Sequence, residues 1–356
     1  KINYVLKEIE FENVYPLYGE IDIKGSTFLR NKVTLSDLTD HLNTLIDLFK
    51  DAKRVDKSLL FEQRFKELSF LLQETVANYN SRLEFQIQNY IIENIHPVLK
   101  KLQEIDDLKL KVEDYYSKLD DSQTKYYQKR KDYDSCISKI NKNLVEVIDA
   151  SQNHIQQIFP HYFERFKSDG IEHNAFIGAS ISPQQIFDKL YLYNLRLWQI
   201  QTLCEMIRKH YRLLPSLPFH IDLTSLILVY NFPIDIRFRL DEKRFDVSGN
   251  SDARFQVLKK RIDKANSKNT QERIVQSEFL TVVYLNETDK QEYLKYLNFL
   301  KVKGYFHEEI EDLEVEDLQE TTGLKALRIK IQKEENETNS VFYSYAELVQ
   351  YNTINL

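Results

Sequence analysis

Apolar side chains recur along the first half of this chain at steps of three and four, the period of a helix that buries one face. Leu35, Leu38, Leu42, Leu45 and Phe49 make one stripe; Phe61, Phe65, Leu68, Leu72, Val76 and Tyr79 a second; Leu83, Ile87, Tyr90, Ile95, Val98 and Leu102 a third. Short connections between such stripes favour antiparallel neighbours, so the pattern predicts an up-and-down bundle. Between Pro97 and Pro160 lie 62 residues with no Gly or Pro, and a heptad register runs from Val112 through Tyr126, Tyr133, Ile140 and Val147 to Ile158. That spacing predicts one helix with a helix–helix seam, on the order of 70 Å long if unbroken. Asp120, Asp121 and Ser122 offer the alternative of a turn and a new helix start.

Ser182 followed by Pro183 predicts the N-cap and first position of a further helix. Its stripe runs from Ile186 through Leu190, Tyr193, Leu197, Ile200, Cys204 and Ile207 to Tyr211, and Leu192, Leu195, Trp198 and Leu203 form a second row. This helix is expected to be buried on more than one side, with Cys204 a core thiol. The period then changes. Ile221 to Tyr230 is almost continuously apolar, as in a strand covered on both faces. From Ile234 to Asp241 strict alternation sets Ile234, Ile236, Phe238 and Leu240 against Asp235, Arg237, Arg239 and Asp241. Arg254 to Lys268 predicts a helix, Phe279 to Leu285 a buried strand, Glu287 to Lys303 a helix closed by Gly304, and Leu327, Ile329 and Ile331 a last strand.

The expected fold is therefore α+β and predominantly helical: a long-helix antiparallel bundle followed by a smaller mixed β-sheet domain with helices. In residues this means an N-terminal extended or loop segment over 1–33, the bundle over 34–166, and an α+β domain over 167–356. The last contains the buried helix 183–213 and sheet segments 221–247, 279–285 and 325–331.

Composition removes several classes of function. Only seven glycines occur in 356 residues, none between Gly25 and Gly170, so no phosphate-cradling glycine loop exists. A net charge of −6 argues against the whole chain binding nucleic acid or an anionic membrane. Two isolated cysteines suit a reducing compartment, and neither a membrane-spanning run nor a signal peptide is visible, so a cytoplasmic location is expected. Lys1 in place of a methionine suggests a fragment of a longer chain.

Charge is segregated in the second half. Residues 237–273 carry 11 Lys or Arg against 6 acids, and 308–320 carry 8 acids and no base. Arg237, Arg239, Lys243, Arg244, Arg254 and Lys260 are one candidate anion site; pairing of the arginines with Asp235, Asp241, Asp246 or the 308–320 acids is the favoured structural alternative. A second candidate is Asp22, Lys24, Ser26 and Arg30 around Gly25, with Ser26 as a helix cap and Arg30 paired to Asp22 as its structural alternative. His154, His161 and His173 near Asp169 and Glu172 match no compact metal motif, and no nucleophile–base ordering appears, so neither a catalytic residue nor a cofactor is assigned. Asn286 and Asn336 match the glycosylation pattern by chance.

Phe11-Glu12-Asn13-Val14-Tyr15-Pro16-Leu17-Tyr18-Gly19 through Ser26, Ile158 through Gly170, Ile234-Asp235-Ile236-Arg237-Phe238-Arg239 through Val247, and Gly323-Leu324-Lys325-Ala326-Leu327-Arg328 together resemble the C-terminal region of bacterial cytoplasmic proteins whose upstream part carries a GAF domain. The resemblance covers nearly the whole chain and implies association with a GAF domain that these residues do not contain. The primary expectation is a non-enzymatic relay, scaffold or oligomerisation region of a GAF-linked signalling protein, with a homodimer formed through the long helices. The alternative is a small-anion or nucleotide-binding enzyme or regulatory domain using the basic sheet face. A third reading, nucleic-acid binding by Arg254, Lys259, Lys260, Arg261, Lys264 and Lys268, is the least favoured.

Overall fold

The computed structural model describes residues 9–119, 125–239, 244–248, 258–259, 261–318, 321–333 and 342–354. The chain divides into two compact units, one comprising Lys1–Lys24 with Ser138–Leu356 and the other Gly25–Ile137. Helices and a mixed sheet make the architecture broadly α+β. Among the described residues no helix is long and apolar enough to cross a membrane.

The 25–137 unit is helical. It contains α1 (Ser26–Val55), α2 (Leu59–Asn78), α3 (Ser81–Tyr90), α4 (His96–Leu102), α5 (Asp106–Leu119) and the beginning of α6 (Gln128–Ile155). Ser58 accepts a hydrogen bond from the Leu60 N–H and Asn80 one from the Leu83 N–H, each supplying an acceptor to a helix start. Lys53 near the end of α1 lies over the Phe65 ring near the start of α2, so these two helices run antiparallel. A π-helical turn, Ile91–Ile95, links α3 to α4 just before Pro97, and the His96 N–H donates to the Ile91 carbonyl. Proline cannot donate to the preceding turn, and the wider turn accommodates that loss.

The expected continuous helix between Pro97 and Pro160 is instead divided. The chain turns at 103–105, where the Ile105 carbonyl accepts from Leu108 and Lys109, and Asp106 and Asp107 supply negative charge to the new helix start. The alternative break at 120–122 falls outside the described residues. Within α6 the buried positions are Tyr133, Cys136, Ile140, Asn141, Leu144, Ile148, Ser151, Gln152 and Ile155, not the strict heptad, and His154 within the helix and Ile158 beyond it are exposed. A straight α-helix drifts about 20° per heptad, so its buried stripe follows 3.6 residues per turn unless a partner supercoils it. The start of α6 is tied to α1: the Arg130 N–H donates to the buried Asp37 carboxylate at 2.9 Å, and Lys129 pairs with Asp40.

In the core of the helical unit, the Tyr115 hydroxyl lies 2.9 Å from His41 Nε2 and 3.1 Å from His96 Nε2, with the Tyr116 ring edge-on to Tyr115 and the Tyr126 ring stacked on His41. One hydroxyl has a single proton, so it donates to one imidazole and accepts from the other.

The other unit is built on a sheet of nine strands among the described residues: β1 (Glu10–Ile23), β2 (Tyr162–Ser168), β3 (Gly170–Ile177), β4 (Leu223–Leu228), β5 (Ile234–Arg239), β6 (Arg244–Ser248), β7 (Phe279–Tyr284), β8 (Glu311–Glu314) and β9 (Lys325–Lys330). The order is β2-β3-β1-β4-β7-β9-β8; β4 and β7 are parallel, and the other pairings along that order are antiparallel. β5 pairs with the first residues of β1 and with β6. The segment 1–33, expected to be extended or loop, thus contains an interior strand and the start of α1. Strands β4, β5, β7 and β9 fall where the hydrophobic pattern placed them, whereas β2, β3 and β8 were not anticipated.

One sheet face is covered by α7 (Lys189–Leu213) and α8 (Glu287–Val302). The expected start at Ser182–Pro183 is not used: residues 183–188 turn, Ile186 is exposed, and Asp188 caps α7 by accepting from the Leu190 N–H. From Leu195 to Arg208 every α7 residue is buried, Cys204 included, as the double apolar row required. Its internal charges are paired: Arg196 with Glu292 at 2.7 Å, and Arg208 with Glu205 at 3.1 Å. Asn286 caps α8, and Gly304 at φ 82 closes it in a Schellman arrangement, with Tyr305 N–H donating to the Leu300 carbonyl.

Burial lowers the His41 pKa from 6.5 to about 4, with the neighbouring His96 adding to the shift. Between those values the folded chain binds fewer protons at His41 than the unfolded chain. Its contribution to stability is therefore complete above pH 6.5 and is lost as the pH falls toward 4. An NMR titration of the imidazole protons should place the His41 midpoint well below 5, and His41→Gln should lessen the loss of denaturant resistance between pH 7 and 5.

Candidate functional site

Alternation along β1 divides its side chains: Leu17, Ile21 and Ile23 face one side of the sheet, while Tyr18, Glu20 and Asp22 face the other. Register then assembles neighbours of like direction. Tyr18 lies opposite Asn174 and Glu20 opposite Glu172 on β3, and β2 sets Glu164 and Phe166 beside them. With Phe176, Arg239, Phe245, Asp246, Lys259 and Asp263 these residues line a cleft of about 720 Å³.

Two glycines make this geometry available. A Cβ on Gly19 would stand 2.4 Å from His173 Cε1 and 2.9 Å from Gln199 Nε2, so only glycine lets α7 lie this close beneath the strand. At the β2–β3 hairpin Gly170 has φ +127, and a Cβ there would meet the Ile21 carbonyl oxygen at 2.1 Å.

The described lining of the cleft is richer in acid than in base. Lys259 reaches Asn174 Oδ1 at 2.7 Å and Glu172 at 3.3 Å, and its ammonium stands over the Tyr18 ring at 4.8 Å. Arg239 pairs with Asp246 at 3.4 Å. Against these two cations stand Glu20, Glu164, Glu172, Asp246 and Asp263. Desolvation, then the charges of Asp263 and Asp22, raise the Glu20 pKa to about 7, although the Tyr18 hydroxyl donates to its carboxylate at 3.1 Å. Desolvation, with Asp263 and Asp169, raises Asp22 to about 6. Asp263 is itself shifted upward by burial. The side chains of the described lining can form ion pairs and hydrogen bonds, and Glu20 can exchange a proton near neutral pH.

Of the first candidate set, Arg239 enters this cleft. Arg237 shares its strand but is exposed and does not line the cleft. Arg244 faces Arg239 in the β5–β6 register, while Lys243, Arg254 and Lys260 lie outside the described residues. The helix expected to reach Lys268 does not extend that far: a 3-10 turn spans Ile262–Lys264, and Asn266 and Ser267 form bridges. The backbone there is recruited to extended pairing, with Ser267 bridging to Val315. The acidic 308–320 segment finds other partners, Arg328 with Glu311 at 2.6 Å, Lys330 with Glu308 at 3.0 Å and Lys268 with Asp317 at 3.0 Å.

Of the second set, Asp22 and Lys24 belong to the sheet unit, and Ser26 and Arg30 to the helical unit. Ser26 is not the cap of α1 but its first residue; Gly25 holds the N-cap position at φ 67, in the left-handed region. The three histidines do not converge: His161 contacts Gln152 and the Phe159 carbonyl, and the buried His173 accepts from Gln199. The described residues contain no group of three or more His, Cys, Asp or Glu placed to hold a metal ion.

The residues missed from sequence are Tyr18, Glu20, Glu164, Phe166, Glu172, Asn174 and Asp263. The signal available for the first two was the alternation from Leu17 to Ile23, interrupted only by Gly19.

A carboxyl whose folded pKa exceeds its ordinary value binds more protons folded than unfolded. Glu20 therefore removes stability as the pH rises from about 4.5 to about 7. Glu20→Gln should raise the melting temperature at pH 8 and leave it nearly unchanged at pH 4, which thermal scans at the two pH values check. Gly19→Ala should destabilise by about 1–3 kcal/mol through overpacking against His173, readable as a lower denaturant midpoint with an unchanged slope.

No protein-family model matches the chain, and no curated protein matches it. Among solved structures it is similar to the crystal structure of the guanylyl cyclase Cya2, at a TM-score of 0.27 and 11% identity over 57% of this chain and 86% of that one. A likeness of that degree bears on neither the fold nor the function of this chain.

Proposed function

We propose that the chain is a non-enzymatic relay, scaffold or oligomerisation region of a GAF-linked bacterial signalling protein. In this reading it works in the cytoplasm, serves an upstream GAF domain, and self-associates through its helices as an antiparallel bundle. The observation that carries the reading is the outer surface of the helical unit. Phe28, Val55, Leu59, Phe70, Val76, Phe85, Ile92 and Leu110 are all exposed there, with Leu59 at 79% and Phe70 at 61%. Large apolar side chains left in water are stabilised by a partner surface.

A second copy is the partner that the charge pattern suits. Residues 26–92, which contain all of these side chains but Leu110, carry 9 basic and 9 acidic residues, so two such surfaces meet without net repulsion. Packed helices also shift between discrete arrangements, which is what a relay requires. The alternative reading, a small-anion or nucleotide site on the basic sheet face, draws on Arg239 at the cleft. Five carboxyl groups facing Arg239 and Lys259 weigh against an anionic ligand at that position.

Leu59 and Phe70 lie three turns apart on α2 and so point in nearly the same direction. Light scattering over a range of concentrations should show masses above that of one chain. The Leu59→Ser, Phe70→Ser double variant should return the monomer without lowering the melting temperature, because neither side chain is part of the folded core. A wild-type chain that stays monomeric at high concentration refutes the association.

A further inference from the structure

Gln201 is fully buried in the middle of α7, a position where an apolar side chain packs at no hydrogen-bonding cost. Its amide is spent on a backbone far away in sequence. Gln201 Nε2 donates to the Tyr343 carbonyl at 2.9 Å, and the Tyr343 N–H donates to Gln201 Oε1 at 2.7 Å. One side chain thus reads both the donor and the acceptor of a single residue, as a neighbouring strand would. About two turns earlier, Asn194 Oδ1 accepts from the Tyr345 N–H at 2.9 Å.

Side chains of the held segment alternate in the manner of an extended peptide. Phe342 packs with the cluster of Trp198, Leu195 and Phe159. Tyr343 turns the other way, its ring 5.7 Å from Phe299 and 6.4 Å from Tyr305, with the Lys303 ammonium over it at 4.8 Å. Tyr345 lies 5.3 Å from Tyr193 and 6.3 Å from Tyr296. Ser344 between them starts α9 (Tyr345–Ile354): its N–H donates to the Glu347 carboxylate and the Glu347 N–H donates back to its hydroxyl, a reciprocal capping pair.

The hold on this segment is narrow. Among the described residues of 342–354, Leu348 is buried and the others are half-buried or exposed.

We propose that this face of α7 is a peptide-binding groove for an extended aromatic-x-aromatic segment, and that its resident 342–354 segment exchanges with the same segment of a second copy. Gln201 and Asn194 recognise the backbone, and the rings around Phe342, Tyr343 and Tyr345 select the sequence. This surface lies in the sheet unit and is independent of the association through the helical unit.

A fluorescein-labelled peptide of residues 341–356 titrated with the full chain tests the proposal by anisotropy. Saturable binding is expected. Replacing Tyr343 and Tyr345 of the peptide by alanine, or Gln201 by leucine in the full chain, should weaken it by about tenfold or more, the worth of one to two lost hydrogen bonds or ring contacts. In hydrogen exchange, the Tyr343 and Tyr345 amides should exchange by local opening, faster than the β4 and β7 amides. Absence of peptide binding, or equal binding of the alanine peptide, overturns the proposal. The peptide variants probe the groove even if Gln201→Leu fails to fold, and light scattering of the Leu59→Ser, Phe70→Ser variant reports the helical association separately.

Discussion

The sheet unit depends on the strict two-residue alternation of β1 between β3 and β4. Because the strand is interior, both of its faces are committed: Leu17, Ile21 and Ile23 to the side of α7, and Tyr18, Glu20 and Asp22 to the opposite side. A shift of one residue in register would exchange the two sets and place three polar side chains against the almost wholly buried α7. Gly19 fixes that register further, since it alone allows His173 and Gln199 to occupy the space below the strand. The cleft is the other consequence of the same alternation.

Electrostatics divides the chain into regions with opposite responses to acid. In the helical unit the desolvated His41 is held neutral, so protons favour the unfolded chain. In and beside the cleft Glu20, Asp22 and Asp263 are crowded and partly desolvated, so protons favour the fold. Both shifts share one cause, the removal of water from an ionisable group, and differ in sign because one group is charged by gaining a proton and the other by losing it. Crowding several carboxyls beside one another is costly to stability; Lys259 offsets part of it through Glu172, Asn174 and the face of Tyr18.

Buried polar side chains on α7 show how an almost wholly enclosed helix can specify its neighbours. Arg196 reaches Glu292 and Asn231, Arg208 reaches Glu205 and the carbonyls of Gly304 and Gln332, and Gln201 reaches Tyr343. Apart from the Arg208–Glu205 pair within the helix, each contact joins α7 to another segment and leaves an uncompensated buried group if that segment is displaced. Apolar packing holds the helix in place, while these directional contacts decide which strand end, helix end and C-terminal segment lie against it.

Periodicity determined much of the local structure. The stripe of α1, that of α2 apart from the exposed Val76, the continuous burial of α7, the strands β4, β5, β7 and β9 and the glycine closure of α8 follow from side-chain spacing and cap chemistry, which act over a few residues. Pattern alone also favoured one helix over 98–159 and gave 1–33 as an extended or loop segment, because absence of Gly and Pro permits a helix without requiring one, and because two glycines near Tyr18 obscured an alternating strand. The acidic cleft, the two histidines on Tyr115 and the clamp of Gln201 on Tyr343 join residues between 19 and more than 140 positions apart. Such juxtapositions carry no local signature. They were decided by register and packing in three dimensions, where burial turns ordinary carboxyls, imidazoles and an amide into groups that must find a particular partner.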